Sequence, residues 1–252
     1  MAVRSCRDLA ARVAELCAFD NRIISSIVPS DIATSNTTTT PPSEKPLTVA
    51  GFDEAGRGAL AGPVIVGCVG NVKSRPSGLS ITDYLCGLDD SKRVSPKKRE
   101  QLFGRILLAF CCGVGAASSE EIDRMGIVAA SSLAASRAYL AMGNSVDLLL
   151  LDRGLSLNKP SIAQLSPTTP PELSFTCGDS KSLRIAAASI LAKVTRDRMM
   201  TRSAACFPRY EFAKNKGYGT PVHLAALREI GPSLIHRTSF KRVGQTASSV
   251  GC

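Results

Sequence analysis

Apolar positions along the chain change period, and the changes mark out its elements. From residue 7 to 28 they recur at helical spacing: Leu9, Val13, Leu16, Ile23, Ile24 and Ile27. A tract rich in Ser, Thr and Pro follows from Ser35 to Ser43, with four consecutive threonines. It carries too little apolar surface to pack a core and reads as a flexible linker. From Leu47 to Phe52 the pattern is that of a short strand ending at two carboxylates, and Pro63 to Val69 is a second β-branched run after Gly-rich turn chemistry. Ser95-Pro96 caps and opens a predicted helix reaching about Ala109. Phe110 to Ala117 predicts a third strand, and Ile127 to Met142 a helix. Val146 to Leu151 predicts a buried strand ending at Asp152, and Glu172 to Cys177 a fifth strand ending at Gly178-Asp179. Ser180 to Arg202 reads as one long helix, whose Ala186-Ala187-Ala188 stretch permits close packing on a sheet. The remainder, to about Val243, is helical and basic, as a lid or a nucleic-acid-facing subdomain would be.

Strands alternating with helices, one of them a continuous apolar run, predict an α/β fold with helices covering a sheet. Three parts follow: an N-terminal extension and linker over 1–46, a core over 47–205, and a C-terminal helical subdomain and tail over 206–252. The extension reads as an appendage to the core.

Charge changes the picture. The 252 residues carry 31 Lys and Arg against 21 Asp and Glu, a formal net charge of +10, which suits a polyanionic partner such as nucleic acid. The nine cysteines are odd in number, include no Cys-x-x-Cys pair, and place Cys111-Cys112 inside an apolar run. They read as reduced core thiols, not as a disulfide framework or a zinc site. No run of eighteen apolar residues occurs, so no spanning helix is expected. Arg4, Arg7, Asp8, Arg12 and Glu15 interrupt the first twenty residues and speak against a signal peptide.

Four acids share one kind of position, at or just past the end of a predicted strand: Asp53, Glu54, Asp152 and Asp179. Ligands of open α/β sheets bind at strand ends, so these acids could converge despite their separation in sequence. Bare carboxylates without cysteine or histidine partners favour hard ions, Mg²⁺ or Mn²⁺. Taken one at a time, each is more often a turn former or helix cap than a ligand, and only the coincidence of all four in a basic chain favours a site. Gly56-Arg57-Gly58 follows the acid pair directly and lets backbone amides approach a sugar or phosphate, although a tight turn is the default explanation of a bare Gly-x-Gly. Tyr218 stands between glycines in a basic stretch, where its ring could stack on a sugar or base or could cover a helix start.

Together these segments resemble type 2 ribonuclease H, the bacterial ribonuclease HII, from Val49 to about Val243. The motifs that carry the resemblance occur in family order. Phe52-Asp53-Glu54-Ala55-Gly56-Arg57-Gly58 comes first, then Leu88-Asp89-Asp90-Ser91-Lys92. Gly178-Asp179-Ser180-Lys181-Ser182 runs into Ile185 to Asp197, and Lys216-Gly217-Tyr218-Gly219-Thr220, His223 and His236-Arg237-Thr238-Ser239-Phe240 close the series. The Gly56-Arg57-Gly58 triplet separates the chain from type 3 relatives.

The resemblance implies a ribonuclease H-like fold: a mixed central sheet flanked by helices, with a C-terminal helical subdomain. It implies an endonuclease that hydrolyses the RNA strand of RNA–DNA hybrids and single ribonucleotides embedded in duplex DNA, leaving a 3′-hydroxyl and a 5′-phosphate. Asp53, Glu54, Asp152 and Asp179 would hold two divalent ions, Mg²⁺ or Mn²⁺, with Asp53 bridging them. Gly56, Arg57 and Gly58 would read the 2′-hydroxyl, Tyr218 would stack on the next deoxyribose, and Lys92 and Lys181 would contact phosphates. Removal of RNA primers and misincorporated ribonucleotides by a monomer in the cytoplasm, with no membrane, completes the expectation. Arg153, directly after Asp152, departs from the family's glycine and could shift that turn or compete with metal. Asp89, Asp90, Asp197, His223 and His236 are expected to serve structure, Asp197 by pairing with Arg196 or Arg198.

Overall fold

The computed structural model describes residues 6–27, 47–74, 78–158, 160 and 170–247. The expected linker at 35–43 lies outside them. Five strands form one sheet: β1 (Val49–Ala55), β2 (Val64–Val72), β3 (Phe110–Ala117), β4 (Leu148–Asp152) and β5 (Glu172–Phe175), in the order β3-β2-β1-β4-β5. β3, β2 and β1 pair antiparallel, while β1, β4 and β5 run parallel, so the sheet is mixed. The helices are α1 (Cys6–Ile27), α2 (Ile81–Tyr84), α3 (Pro96–Ala109), α4 (Ser119–Met125), α5 (Ile127–Met142), α6 (Leu183–Cys206), α7 (Phe212–Asn215), α8 (Pro221–Ile230) and α9 (Lys241–Ala247).

Alternation along the strands gives the sheet two apolar faces. Ala50, Phe52, Val64, Val66, Leu149 and Leu151 pack with the alanine-rich side of α5. On the opposite face Val69 packs with Leu183, Ile190 and Leu191 of α6 and with Leu102 and Ile106 of α3. α3 begins where Ser95 accepts from the Lys98 amide and Pro96 takes the first helical position. α6 begins later than the sequence predicts. The Ser182 hydroxyl, not Ser180, accepts from the Ile185 amide, and a 3-10 turn over Gly178–Ser180 precedes the helix. That delay leaves Asp179 outside the helix cap.

The N-terminal helix is not a detached appendage. Val13 and Leu16 of α1 are fully buried in the α3–α6 cluster, and Ile23 and Ile24 pack near Val49, Leu148 and Leu150. Each large apolar side chain so buried contributes about 1.5–3 kcal/mol before entropy is counted. The Phe19 ring meets Phe175 of β5 edge-on at 5.2 Å.

At the C-terminal side Met200, Tyr210, Phe212, Leu227 and Val243 enclose a small core together with Leu60 and Ala61 from the segment after β1. Inside it His223 Nε2 meets His236 Nε2 at 2.9 Å, and His223 Nδ1 lies 2.9 Å from the Tyr218 carbonyl. Burial, then the neighbouring His223, holds His236 down at about 4, so this pair is neutral and structural.

Candidate active site

Strand register brings the acids together. Phe52 of β1 lies opposite Leu151 of β4 in a parallel pair, so the following residues, Asp53 and Asp152, stand abreast on the α6 face. β5 pairs with β4 through Asp152 and Phe175, and soon after Phe175 the chain turns through Gly178–Ser180, carrying Asp179 to the same end. Asp53 and Glu54 lie within β1 and not beyond it, since the strand continues to Ala55. Glu54 therefore points to the opposite face from Asp53.

The electrostatics are those of crowded like charges. Burial, then the Glu54 charge and those of Asp152 and Asp179, pushes Asp53 well above the ordinary carboxylate range, against a hydrogen bond from Ser189. Glu54 is raised by burial and Asp152 despite Arg57, whose Nη1 lies 3.5 Å from Oε1. Asp179 is raised to about 6 by burial, Asp90 and Asp152. Lys92 is lowered by burial but raised on balance by Asp90, Asp179, Asp53 and Asp152. Oε2 of Glu54 is buried without a hydrogen-bond partner among the described residues. Among those residues no three acids, histidines or cysteines form a ready-made metal cage. The acids are near enough to raise one another's pKa.

Asp152 is aimed from within. Its Oδ1 accepts from the Gly178 amide at 2.7 Å, while Arg153 is exposed. Gly56, Arg57, Gly58, Lys92 and Tyr218 line one cavity of about 420 Å³ with Asp53, Glu54 and Asp152. Lys181 is exposed and does not line this cavity.

Two fully buried arginines hold the segment that follows β1. Arg196 of α6 donates to the carbonyls of Pro63 at 3.0 Å, Ala61 at 3.0 Å and Lys216 at 2.8 Å. Arg237 donates to Gly62 O through Nε and Nη2 and to Arg57 O through Nη1 at 2.9 Å. Burial and the Arg196 charge hold Arg237 down at about 9. Gly56 has φ +93°, and a Cβ there would collide with the Arg196 guanidinium, which explains the glycine directly after Ala55. The same guanidinium lies 5.1 Å from the centre of the Tyr218 ring, with Lys193 Nζ at 5.5 Å.

Sequence reasoning missed Ser91, Ser189 and Lys193, which line the cavity, and the part played by Asp90, which faces Asp179. Ser189, Lys193 and Arg196 recur every three or four residues along a stripe of α6 that is otherwise apolar, and that stripe was the available signal. The expected ion pair of Asp197 with its neighbouring arginines is replaced by one with Lys193 at 2.8 Å; Arg198 reaches Glu100 instead.

The comparisons with known proteins fall on the same segments. The family model for ribonuclease HII matches residues 50–243. Ribonuclease HII of Chloroflexus aurantiacus is 44% identical over 196 residues, covering 77% of this chain and 87% of the relative. The crystal structure of ribonuclease H2 from Pyrococcus horikoshii aligns with TM-score 0.61 at 24% identity, over 81% of this chain and 98% of the other. The RNase HII in the Archaeoglobus fulgidus complex with PCNA aligns with TM-score 0.57 at 28% identity, over 73% of this chain and 88% of the other. With its mixed sheet, its acids at adjoining strand ends and a match spanning the whole core, this chain belongs to the ribonuclease HII family of ribonuclease H enzymes.

Proposed function

We propose that the chain hydrolyses the RNA strand of RNA–DNA hybrids and cuts at single ribonucleotides embedded in duplex DNA, leaving a 3′-hydroxyl and a 5′-phosphate. The observation that carries this reading is one cavity in which repelling carboxylates meet Gly56-Arg57-Gly58 and Tyr218.

The donor set fits hard divalent cations. It is all oxygen, one buried Glu54 oxygen has no partner among the described residues, and Asp53, Glu54, Asp152 and Asp179 crowd their charges at one end of the sheet. Asp53, Glu54, Asp152 and Asp179 would hold Mg²⁺ or Mn²⁺. Two such ions supply Lewis acidity, which makes water a nucleophile at neutral pH and stabilises the departing oxygen of a phosphodiester.

The protein's own groups do the selecting. The Gly56–Gly58 backbone, held by Arg237 at the Arg57 carbonyl and packed against Arg196 at Gly56, would offer its amides to a 2′-hydroxyl, the group that distinguishes RNA from DNA. Tyr218 presents a ring for the neighbouring deoxyribose, and Lys92 a cation for a phosphate. Lys193 joins this cavity to a groove of about 910 Å³, lined also by Lys97, Arg99, Arg198, Arg202, Lys214 and Lys216. Such a cationic path suits a duplex backbone.

Removal of primers and misincorporated ribonucleotides is the role that this substrate implies. Action as a monomer in the cytoplasm belongs to the same reading; burial pushes Cys112 up to about 12 and Cys68 well above its ordinary value, which keeps these two thiols protonated. No helix among the described residues is long and apolar enough to cross a membrane.

The test is a Mg²⁺ incubation with a duplex carrying one ribonucleotide beside an all-DNA control. Cutting of the first alone supports the reading. Equal cutting of both indicates a generic nuclease, and binding without cutting indicates an inactive hybrid-binding protein.

A further inference from the structure

We propose that α1 is a working part of the active site and that its Arg12 is a positioning residue for Asp179 and Lys92, an inference that rests on the carboxylate site described above. α1 lies outside residues 50–243, the span that the family model matches.

Arg12 grips two loops at once. Its Nε and Nη2 donate to Asp89 Oδ1 at 3.3 and 3.2 Å, and Nη2 also donates to the Ser180 carbonyl at 2.5 Å. Asp89 opens the loop that carries Lys92, and Ser180 closes the turn that carries Asp179. Within the first loop Asp89 Oδ1 also accepts from the Asp90 amide at 3.0 Å, and Asp90 Oδ1 accepts from the Lys92 amide at 2.9 Å. Asp90 in turn lies near enough to the Asp179 carboxyl for their charges to interact. A continuous path therefore runs from Arg12 to both groups.

The helix that carries Arg12 is fixed. Val13 and Leu16 are buried beside it, and Asp20, 1% exposed, accepts from the Arg184 amide at 3.2 Å and from Arg184 Nη1 at 3.1 Å. α1 thus holds the chain on both sides of residues 181–183, at Ser180 through Arg12 and at Arg184 through Asp20.

The brace answers a physical need. Asp90, Asp179 and Asp152 repel one another where the two loops meet, and repulsion opens a loop that nothing restrains. A guanidinium forked between a carboxylate of one loop and a carbonyl of the other resists that opening. The loops then stand close before any ion arrives, which lowers the reorganisation that ion binding requires.

The experiment compares wild type with Arg12→Ala, Arg12→Lys and Glu15→Ala; Glu15 is Arg12's exposed helical partner. Calorimetry measures Mn²⁺ binding to the substrate-free protein, and kinetics measures kcat, KM and the Mg²⁺ dependence on a duplex with one ribonucleotide. Arg12→Ala is expected to weaken Mn²⁺ binding about ten-fold or more and to raise the Mg²⁺ requirement in parallel, because loss of a group behind a metal ligand typically costs about 10–100-fold. KM for the duplex is expected to rise less than the Mn²⁺ dissociation constant does, because Lys92 is one cation among several along the cavity and groove. Arg12→Lys recovers part of the loss, and Glu15→Ala matches wild type. Wild-type Mn²⁺ binding by a folded Arg12→Ala protein overturns the proposal. So does a failure to fold shared by both Arg12 variants, which would make the residue a stability element. If wild type binds Mn²⁺ but leaves the ribonucleotide duplex intact, the proposed substrate falls while the calorimetry still decides on Arg12.

Discussion

The amide of Gly178 donates to Oδ1 of Asp152 across 2.7 Å, joining the turn after β5 to the end of β4. This bond aims the third carboxylate while Arg153 stays exposed beside it. A Cβ at Gly178 would lie 2.7 Å from Ile185 Cδ1 and 3.3 Å from that same oxygen. Gly178→Ala is therefore expected to cost about 1–3 kcal/mol in denaturant unfolding through overpacking. It should also slow cleavage by on the order of ten-fold through a displaced Asp152. A folded variant cutting at the wild-type rate would remove this bond from the site's construction.

Asp179 makes a pH prediction. Its folded-state value of about 6 lies above the ordinary 3.8 because of burial, Asp90 and Asp152. A carboxyl raised on folding contributes stability that is complete below its unfolded value and is lost as pH rises through the folded one. At about pH 7.5 the ionised group thus costs the metal-free protein on the order of 1–3 kcal/mol. Asp179→Asn should recover that amount there and almost nothing near pH 3.5. His236, held at about 4, loses stability on acidification and so runs the other way in wild type. The difference between the two proteins isolates Asp179. A stability difference that does not change with pH would contradict the assignment.

Much of this arrangement was legible along the chain. Ser95-Pro96 marks the start of α3, and Phe110 to Ala117 forms the strand its pattern predicts. The four acids stood out because each falls near a strand terminus. Less legible were features set by contacts far apart in sequence. β4 begins at Leu148 and not at Val146, where the Asp147 carboxylate instead takes the Thr48 amide at 2.8 Å and its hydroxyl at 2.6 Å. Arg12 meets Ser180 across 168 positions, and Arg196 meets Ala61 across 135, so no local pattern announces either. A buried arginine bonded only to carbonyls also breaks the usual expectation that such a charge finds a carboxylate.

Arg196 deserves its own test for that reason. Arg196→Met removes three donors and leaves the carbonyls of Ala61, Pro63 and Lys216 without them. Destabilisation on the order of 3 kcal/mol or more should appear in denaturant unfolding. In whatever fraction folds, preference for a ribonucleotide over all-DNA duplex should fall, because the Gly56–Gly58 segment loses its backing. Retained stability would show that the three bonds contribute little.

Tyr218 separates recognition from folding. Its ring is flanked by Arg196 and Lys193, leaving stacking as its proposed contribution. Tyr218→Ala should weaken cutting at a ribonucleotide next to DNA by about 1–3 kcal/mol of stacking, roughly 5- to 150-fold. Tyr218→Phe should keep most of the activity, and thermal unfolding of both should stay near wild type. Equal losses in the two variants would point to the hydroxyl and not the ring.

The most direct test maps cleavage of a duplex containing one ribonucleotide by wild type and by Asp53→Asn, with Mg²⁺ present and duplex binding measured in parallel. Wild type should cut at the ribonucleotide and leave a 3′-hydroxyl and a 5′-phosphate, while Asp53→Asn should bind the duplex and leave it intact. Undiminished cutting by Asp53→Asn would contradict the account.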